Sequence, residues 1–146
     1  LYSEYPDGVI DVAREQALVE EHQNIVLQFP VYWFNCPPLL KQWCDEVLTY
    51  GWAYGSKGKA FENKKLGIAV SLGAPASEYS AEGSVGYTVA ETLRPFELTA
   101  NYISANYQPL FTFHTIDTYE SYDEAAAQLV ADSADDYLAH LNTYYA

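Results

Sequence analysis

Two short apolar runs do most to limit what this chain can become: residues 24–29 (N-I-V-L-Q-F) and 66–72 (L-G-I-A-V-S-L). Each is too short for a buried helix, and neither alternates apolar with polar in the way of a half-exposed strand. Continuous apolarity of this length suits a strand covered on both faces, the setting of a parallel sheet. The segments around the runs read as helices. Asp11 is placed as N-cap of a helix reaching about His22, with Ala13, Ala17 and Leu18 on its inner side. Pro37 and Pro38 suit a first helical turn, and Leu39, Leu40, Trp43, Cys44, Val47 and Leu48 then recur at three-to-four spacing opposite Lys41, Gln42, Asp45 and Glu46.

Further along, Thr88 with Glu91 forms a capping-box pair that starts a helix, which Pro95 kinks or restarts before about Ile103. Residues 109–115 read as another strand. Ser121 with Glu124 is a second capping-box pair, opening a long helix that carries Ala125, Leu129, Val130, Tyr137, Leu138 and Leu141. The order helix, strand, helix, strand, helix, strand, helix predicts an α/β domain with a parallel sheet, one domain over residues 1–146. In such sheets ligands sit beyond the carboxyl ends of the strands, where the strand order switches. That rule singles out the loops at residues 30–35 and 73–87.

The formal net charge of −13, from 20 acidic and 7 basic residues, would repel a phosphate backbone, and no Lys/Arg stripe reverses it locally. Nucleic acid is therefore not expected as a partner, whereas an anionic cofactor can still be held by backbone N–H groups. No stretch approaches the roughly 20 apolar residues of a membrane span, so no membrane insertion and a cytoplasmic location are expected. Cys36 and Cys44 lie eight residues apart, about 12 Å of helix rise, too far for a disulfide. They read as packing residues or inert thiols. His22, His114 and His140 are scattered with no metal-ligand spacing, so no metal is expected. Ser71 and Ser77 occupy no G-x-S-x-G elbow, which disfavours a serine hydrolase. The pairs Asp45-Glu46 and Asp135-Asp136 read as solvated helix surface, and the tyrosine-rich tail from Tyr137 to Tyr145 as a packing or dimer surface.

Three segments carry a family resemblance. Residues 28–55 read Q-F-P-V-Y-W-F-N-C-P-P-L-L-K-Q-W-C-D-E-V-L-T-Y-G-W-A-Y-G, residues 70–83 read V-S-L-G-A-P-A-S-E-Y-S-A-E-G, and residues 94–102 read R-P-F-E-L-T-A-N-Y. Together they resemble the flavodoxin-like NAD(P)H:quinone oxidoreductases, the family that includes the modulator-of-drug-activity proteins and the ancillary proteins of glutathione-gated potassium efflux. The resemblance implies a flavodoxin-like three-layer sandwich with helices on both faces of a parallel sheet. It implies a flavin cofactor, FMN or FAD, with NADPH or NADH as co-substrate and a quinone-like acceptor. It also implies a homodimer, and an ion-channel partner if the role is regulatory.

By the same resemblance, backbone groups of Pro30, Val31, Tyr32, Trp33 and Phe34 lie along the flavin, with Trp33 and Phe34 as an aromatic wall. Leu72, Gly73 and Ala74 bring N–H groups to the ring's carbonyl edge, where charge gathers on reduction. Tyr79 stands beside the pocket that nicotinamide and quinone use in turn, as the catalytic hydrogen-bond donor. Tyr54 covers the site from the neighbouring subunit. Three departures accompany these matches. Val85 falls where some relatives carry a histidine partner for the tyrosine, so a tyrosine–histidine relay is not expected. The family's double glycine reads Gly73-Ala74. Family members begin with a strand and a phosphate loop that this sequence lacks, and an omitted N-terminal segment is expected. Set against these readings, Trp43 on an apolar helix face is a core aromatic. A single-electron carrier is the third alternative, disfavoured because a carrier needs no nicotinamide pocket.

Overall fold

A computed structural model describes residues 1–116 and 123–146. The elements in chain order are α1 (Val12–Glu21), β1 (Asn24–Pro30), α2 (Pro38–Val47), β2 (Lys65–Ser71), a 3₁₀ turn (Ala76–Glu78), α3 (Val89–Thr92), α4 (Arg94–Tyr102), β3 (Asn106–Tyr107), β4 (Phe111–Phe113) and α5 (Glu124–Tyr144). All strand pairings are parallel: β1 lies along the whole of β2, while β3 and β4 share the other edge of β2. Of the strand expected at residues 109–115, Phe111–Phe113 is realised as β4, and β3 precedes it as a short strand that was not expected. Among the described residues, no helix is long and apolar enough to cross a membrane.

The period of two along the strands sorts the two faces. Ile25, Leu27 and Phe29 stand in register with Leu66, Ile68 and Val70, and these side chains meet the apolar stripes of α1, α2 and α4. Leu39, Leu40, Trp43 and Val47 are buried, as their spacing predicts. On the opposite face α5 packs against β4, with the Tyr137 and Phe111 rings 4.7 Å apart. Gly67 lies here, where a Cβ would run into the Tyr145 hydroxyl.

Four expectations need correction. The inner side of α1 is Val12, Glu15, Gln16 and Val19, while Ala13, Ala17 and Leu18 face outward. Two inward positions are polar because their side chains are spent on the neighbouring helix. Glu15 accepts from the Trp43 indole at 2.7 Å and from the Tyr5 hydroxyl at 2.6 Å, and Gln16 donates to the Val47 carbonyl at 3.0 Å. Secondly, β1 is not covered on both faces. Only Phe29 is buried, because α5 lies over β4 and leaves Gln28 and Pro30 at a cleft of about 330 Å³. Thirdly, Asp123 caps α5, accepting from the Ala126 amide at 2.9 Å, and Ser121 lies outside the described residues. Finally, Leu129, Val130 and Leu138 are exposed and no α5 residue is fully buried.

Elsewhere the local signals act as read. Thr88 and Glu91 form a complete capping box, and Leu93 ends α3 so that Pro95, in the first turn of α4, costs no helical hydrogen bond. Lys64 is a buried lysine that sequence periodicity does not explain. Its ammonium donates to the Glu20 and His22 carbonyls at 3.2 and 2.6 Å, satisfying the C-terminal end of α1. Cys36 and Cys44 are free thiols, both held above the ordinary thiol range chiefly by burial, Cys44 up to about 12.

Candidate functional site

Where β1 ends, the chain turns back on itself within four residues. Tyr32 and Asn35 exchange both amide hydrogen bonds, at 2.8 and 2.9 Å, leaving Trp33 and Phe34 as the two central residues with φ of 48° and 61°. This is the geometry of a two-residue turn in which both central positions favour Gly, Asn or Asp. Two bulky aromatics there are strained. Trp33 gains no packing in return, since 94% of it is exposed. Val31 is tied to β2 by its amide, which donates to the Ser71 carbonyl at 2.9 Å. A cleft of about 470 Å³ opens beside Val31, Tyr32, Trp33, Cys36 and Pro38, within the range of small-molecule sites.

The second loop starts one strand over. Leu72 is buried, its amide donating to the Phe113 carbonyl at 2.8 Å and its carbonyl accepting from the Ile116 amide at 3.2 Å. Gly73 is exposed, its φ is outside the left-handed region, and among the described residues a Cβ there would touch nothing nearer than the Ile116 carbonyl oxygen at 3.8 Å. Nothing among the described residues therefore requires glycine at this position. Gly83 differs: a Cβ there would strike the Glu78 backbone, so the closing turn of the loop requires it. Tyr79 follows the 3₁₀ turn with its amide bonded to Ala76, and burial pushes its phenol above the ordinary range.

Among the described residues, the amides of Trp33, Phe34, Gly73 and Ala74 donate to nothing. Val31 and Tyr79 pack on the same apolar cluster as Leu72 and Phe29, so the two loops lie side by side at the carboxyl ends of β1 and β2. Four unspent donors, an aromatic tip and a glycine without internal purpose fit a flat, apolar-faced, polar-edged ring such as a flavin. Six of the seven Lys and Arg side chains are spent elsewhere. Arg14, Lys41, Lys59 and Arg94 are paired with Glu4, Asp45, Glu62 and Glu97, while Lys64 and Lys65 donate to backbone carbonyls.

Of the residues singled out in the sequence, Pro30 to Phe34, Leu72 to Ala74 and Tyr79 fall in this region. Tyr54 does not. It stacks at 5.4 Å on Tyr102 and lines a separate cleft of about 350 Å³ with Leu48, Leu98, Thr99 and Ile103. His114, which in the sequence showed only that it has no metal-ligand spacing, follows β4 directly. Its ring lies 6.0 Å from that of Tyr79, and its Nδ1 is 3.1 Å from the Ala74 carbonyl oxygen. The rule that drew attention to the other two strand ends, applied to the third, points to this histidine.

Comparison with known proteins agrees with this layout. A family model described as flavodoxin-like fold matches residues 1–141. The chain is 49% identical to general stress protein 14 of Bacillus subtilis over 92% of its own length and 73% of the relative's. To the NAD(P)H oxidoreductase YrkL of the same organism it is 53% identical, over 77% of this chain and 64% of YrkL. To the potassium-efflux ancillary protein KefG of Cronobacter sakazakii it is 45% identical, over 68% of this chain and 54% of KefG. The chain thus spans only part of the length of these curated relatives. Among solved structures, general stress protein 14 of Treponema denticola in complex with FMN superposes with TM-score 0.90 and 64% identity, covering 97% of this chain and 78% of that one. A protein described as a tryptophan halogenase from Streptomycin violaceusniger gives 0.87 and 47%, covering 96% and 78%. An NADPH-quinone reductase from P. pentosaceus gives 0.73 and 37%, covering 86% and 74%. The chain belongs to the flavodoxin-like fold family.

Proposed function

We propose that the protein is a flavin-dependent NAD(P)H:quinone oxidoreductase with FMN held at the carboxyl ends of β1 and β2. The observation that carries this reading is the set of four amides, on Trp33, Phe34, Gly73 and Ala74, that donate to nothing among the described residues and gather on two adjacent loops. Backbone groups of residues 30–34 would lie along the ring and its side chain, and those of residues 72–74 would face the carbonyl edge. When bound, the flavin supplies two-electron hydride chemistry between the nicotinamide and the acceptor. The strained tip keeps Trp33 and Phe34 projecting as a wall without reorganisation on binding, which lowers the entropic cost of forming the site. Tyr79, at the flank, holds a proton at its hydroxyl and orients the acceptor's oxygen.

FMN is preferred to FAD because the T. denticola relative was solved with FMN, and a quinone acceptor because the P. pentosaceus neighbour is named a quinone reductase. The halogenase name of one neighbour does not displace this reading. Halogenating an indole requires an oxidised halogen kept from water, and the aromatic tip here is open to solvent. The Tyr54 and Tyr102 face, with Leu98 exposed, is the surface on which we place a second copy in a homodimer. A regulatory flavin-binding subunit of a potassium-efflux system is the second reading, favoured by the identity to KefG.

The test is to load the protein with FMN and follow NADPH and NADH oxidation with menadione. Turnover well above that of free FMN is expected. Oxidation at the free-flavin rate with both nucleotides would refute the enzyme reading. In that case, stimulation of a potassium-efflux channel by the flavin-loaded protein would establish the regulatory one.

A further inference from the structure

The strained turn at the end of β1 stands on two feet. On the β1 side the Val31 amide donates to the Ser71 carbonyl at 2.9 Å, which fixes that foot to β2. The other foot is Asn35, where three hydrogen bonds converge. Its backbone exchanges both closing bonds with Tyr32, at 2.8 and 2.9 Å, and its side-chain Oδ1 accepts from the Cys36 amide at 2.8 Å. Among the described residues that amide donates to nothing else. Cys36 is buried with Phe29 and Leu40, and Pro37 then caps α2. Asn35 itself is exposed, so packing does not account for its side chain. Asparagine readily bonds the backbone beside it, and here that bond ties the turn to a residue the core holds still.

The tie matters because the turn is under stress. Trp33 and Phe34 have φ of 48° and 61°, a region that bulky L residues leave when they can. Relaxing them opens the closing bonds and carries Asn35 outward, which strips the buried Cys36 amide of its acceptor, a costly loss. The side-chain bond therefore opposes the relaxation directly. We propose that Asn35 is the positioning residue of the aromatic tip: by holding the Cys36 amide, its side-chain oxygen keeps Trp33 and Phe34 projecting toward the ligand. This rests on the flavin reading of the site given above. Asn35 touches no ligand in this scheme. It sets the fraction of molecules whose tip is ready to bind, and apparent affinity scales with that fraction.

Asn35→Ala removes the accepting oxygen, and Asn35→Asp keeps it. FMN affinity is measured by quenching of flavin fluorescence at a temperature where circular dichroism shows each protein folded, because a residue that only stabilises the fold leaves the affinity of folded molecules unchanged. About 0.5 M salt screens the charge added by aspartate from the FMN phosphate. With the ready fraction cut to roughly a tenth in Asn35→Ala, affinity is expected to fall about tenfold, whereas Asn35→Asp stays within about twofold of the parent. Amide hydrogen exchange in the flavin-free proteins is expected to quicken at Tyr32 and Asn35 in the alanine variant alone. Unchanged affinity in Asn35→Ala, an equal loss in both variants, or a loss without faster exchange at the turn overturns the positioning role. A parent protein that leaves flavin fluorescence unquenched refutes the flavin reading itself, and the proposal falls with it.

Discussion

Replacing Trp33 by asparagine should make the flavin-free protein more stable and the flavin complex weaker. The expectation comes from the turn at residues 32–35, where Trp33 and Phe34 both have positive φ and the closing hydrogen bonds between Tyr32 and Asn35 hold them there. An L side chain in this region costs about 1–2 kcal/mol, and asparagine pays the least of that among non-glycine residues. Against the gain stands the loss of whatever the indole buries. With 94% of Trp33 exposed, that loss is under about 0.5 kcal/mol at roughly 25 cal/mol per Å². The net is a stabilisation of about 1 kcal/mol, which raises the melting temperature by about 2–4 °C for a domain of this size. The melt is followed by circular dichroism without FMN, since a ligand that binds only the folded state would add its own stability. Quenching of flavin fluorescence then measures affinity, and loss of an aromatic contact worth about 1.4 kcal/mol weakens it about tenfold. A lower melting temperature, or an unchanged FMN affinity, would refute the argument that this strain is kept for the ligand.

Gly73→Ala is expected to leave the melting temperature level or slightly raised, because among the described residues a Cβ there meets only the Ile116 carbonyl oxygen at 3.8 Å and glycine is the more flexible residue when unfolded. Its FMN affinity should fall at least about tenfold in the same quenching assay, and unchanged affinity would remove Gly73 from the site. Lys64→Met should lower stability by about 2 kcal/mol in urea denaturation, since it strips the Glu20 and His22 carbonyls of a charged donor in a buried position. Stability should also decline in alkali. Cys44, Tyr107 and Tyr145 are each pushed up to about 12, chiefly by burial, so at high pH the unfolded chain has fewer protons than the folded one. Their contribution is complete below the ordinary thiol and phenol range and is lost as pH climbs toward 12, at up to about 1.4 kcal/mol per pH unit for each group. Urea midpoints at pH 8, 9.5 and 11 check the sign.

The layout was legible in the chain because its signals are local. An apolar run of six or seven residues has few structural uses, and a Thr88–Glu91 pair three residues apart satisfies its own helix end wherever that helix goes. The inner side of α1 was not legible, for a reason equally physical. Glu15 and Gln16 look like surface residues until Trp43 and the Val47 carbonyl, about thirty residues on, are brought against them. Polar groups that find their partners at long range are invisible to a hydrophobic period. The same holds for Lys64, whose partners are the carbonyls of another element's last turn.

The site divides along the same line. Its loops could be found because strand ends are found with the strands, and the motif residues there are contiguous. Its donors could not, since an amide counts as unspent only once the rest of the hydrogen bonding is known. The strain at Trp33 and Phe34 belongs to this second kind, as no propensity rule places two aromatics in a turn that favours glycine and asparagine. Where local preference and fold disagree without any packing to repay the disagreement, the compensation has to come from outside the chain. The aromatic tip and Gly73 belong together: one position keeps a side chain the fold disfavours, the other omits a side chain that the described residues would accept. A ligand lying between the two loops accounts for both. The paired outcomes for Trp33→Asn and Gly73→Ala, stability kept or gained while FMN affinity is lost, follow from that single cause.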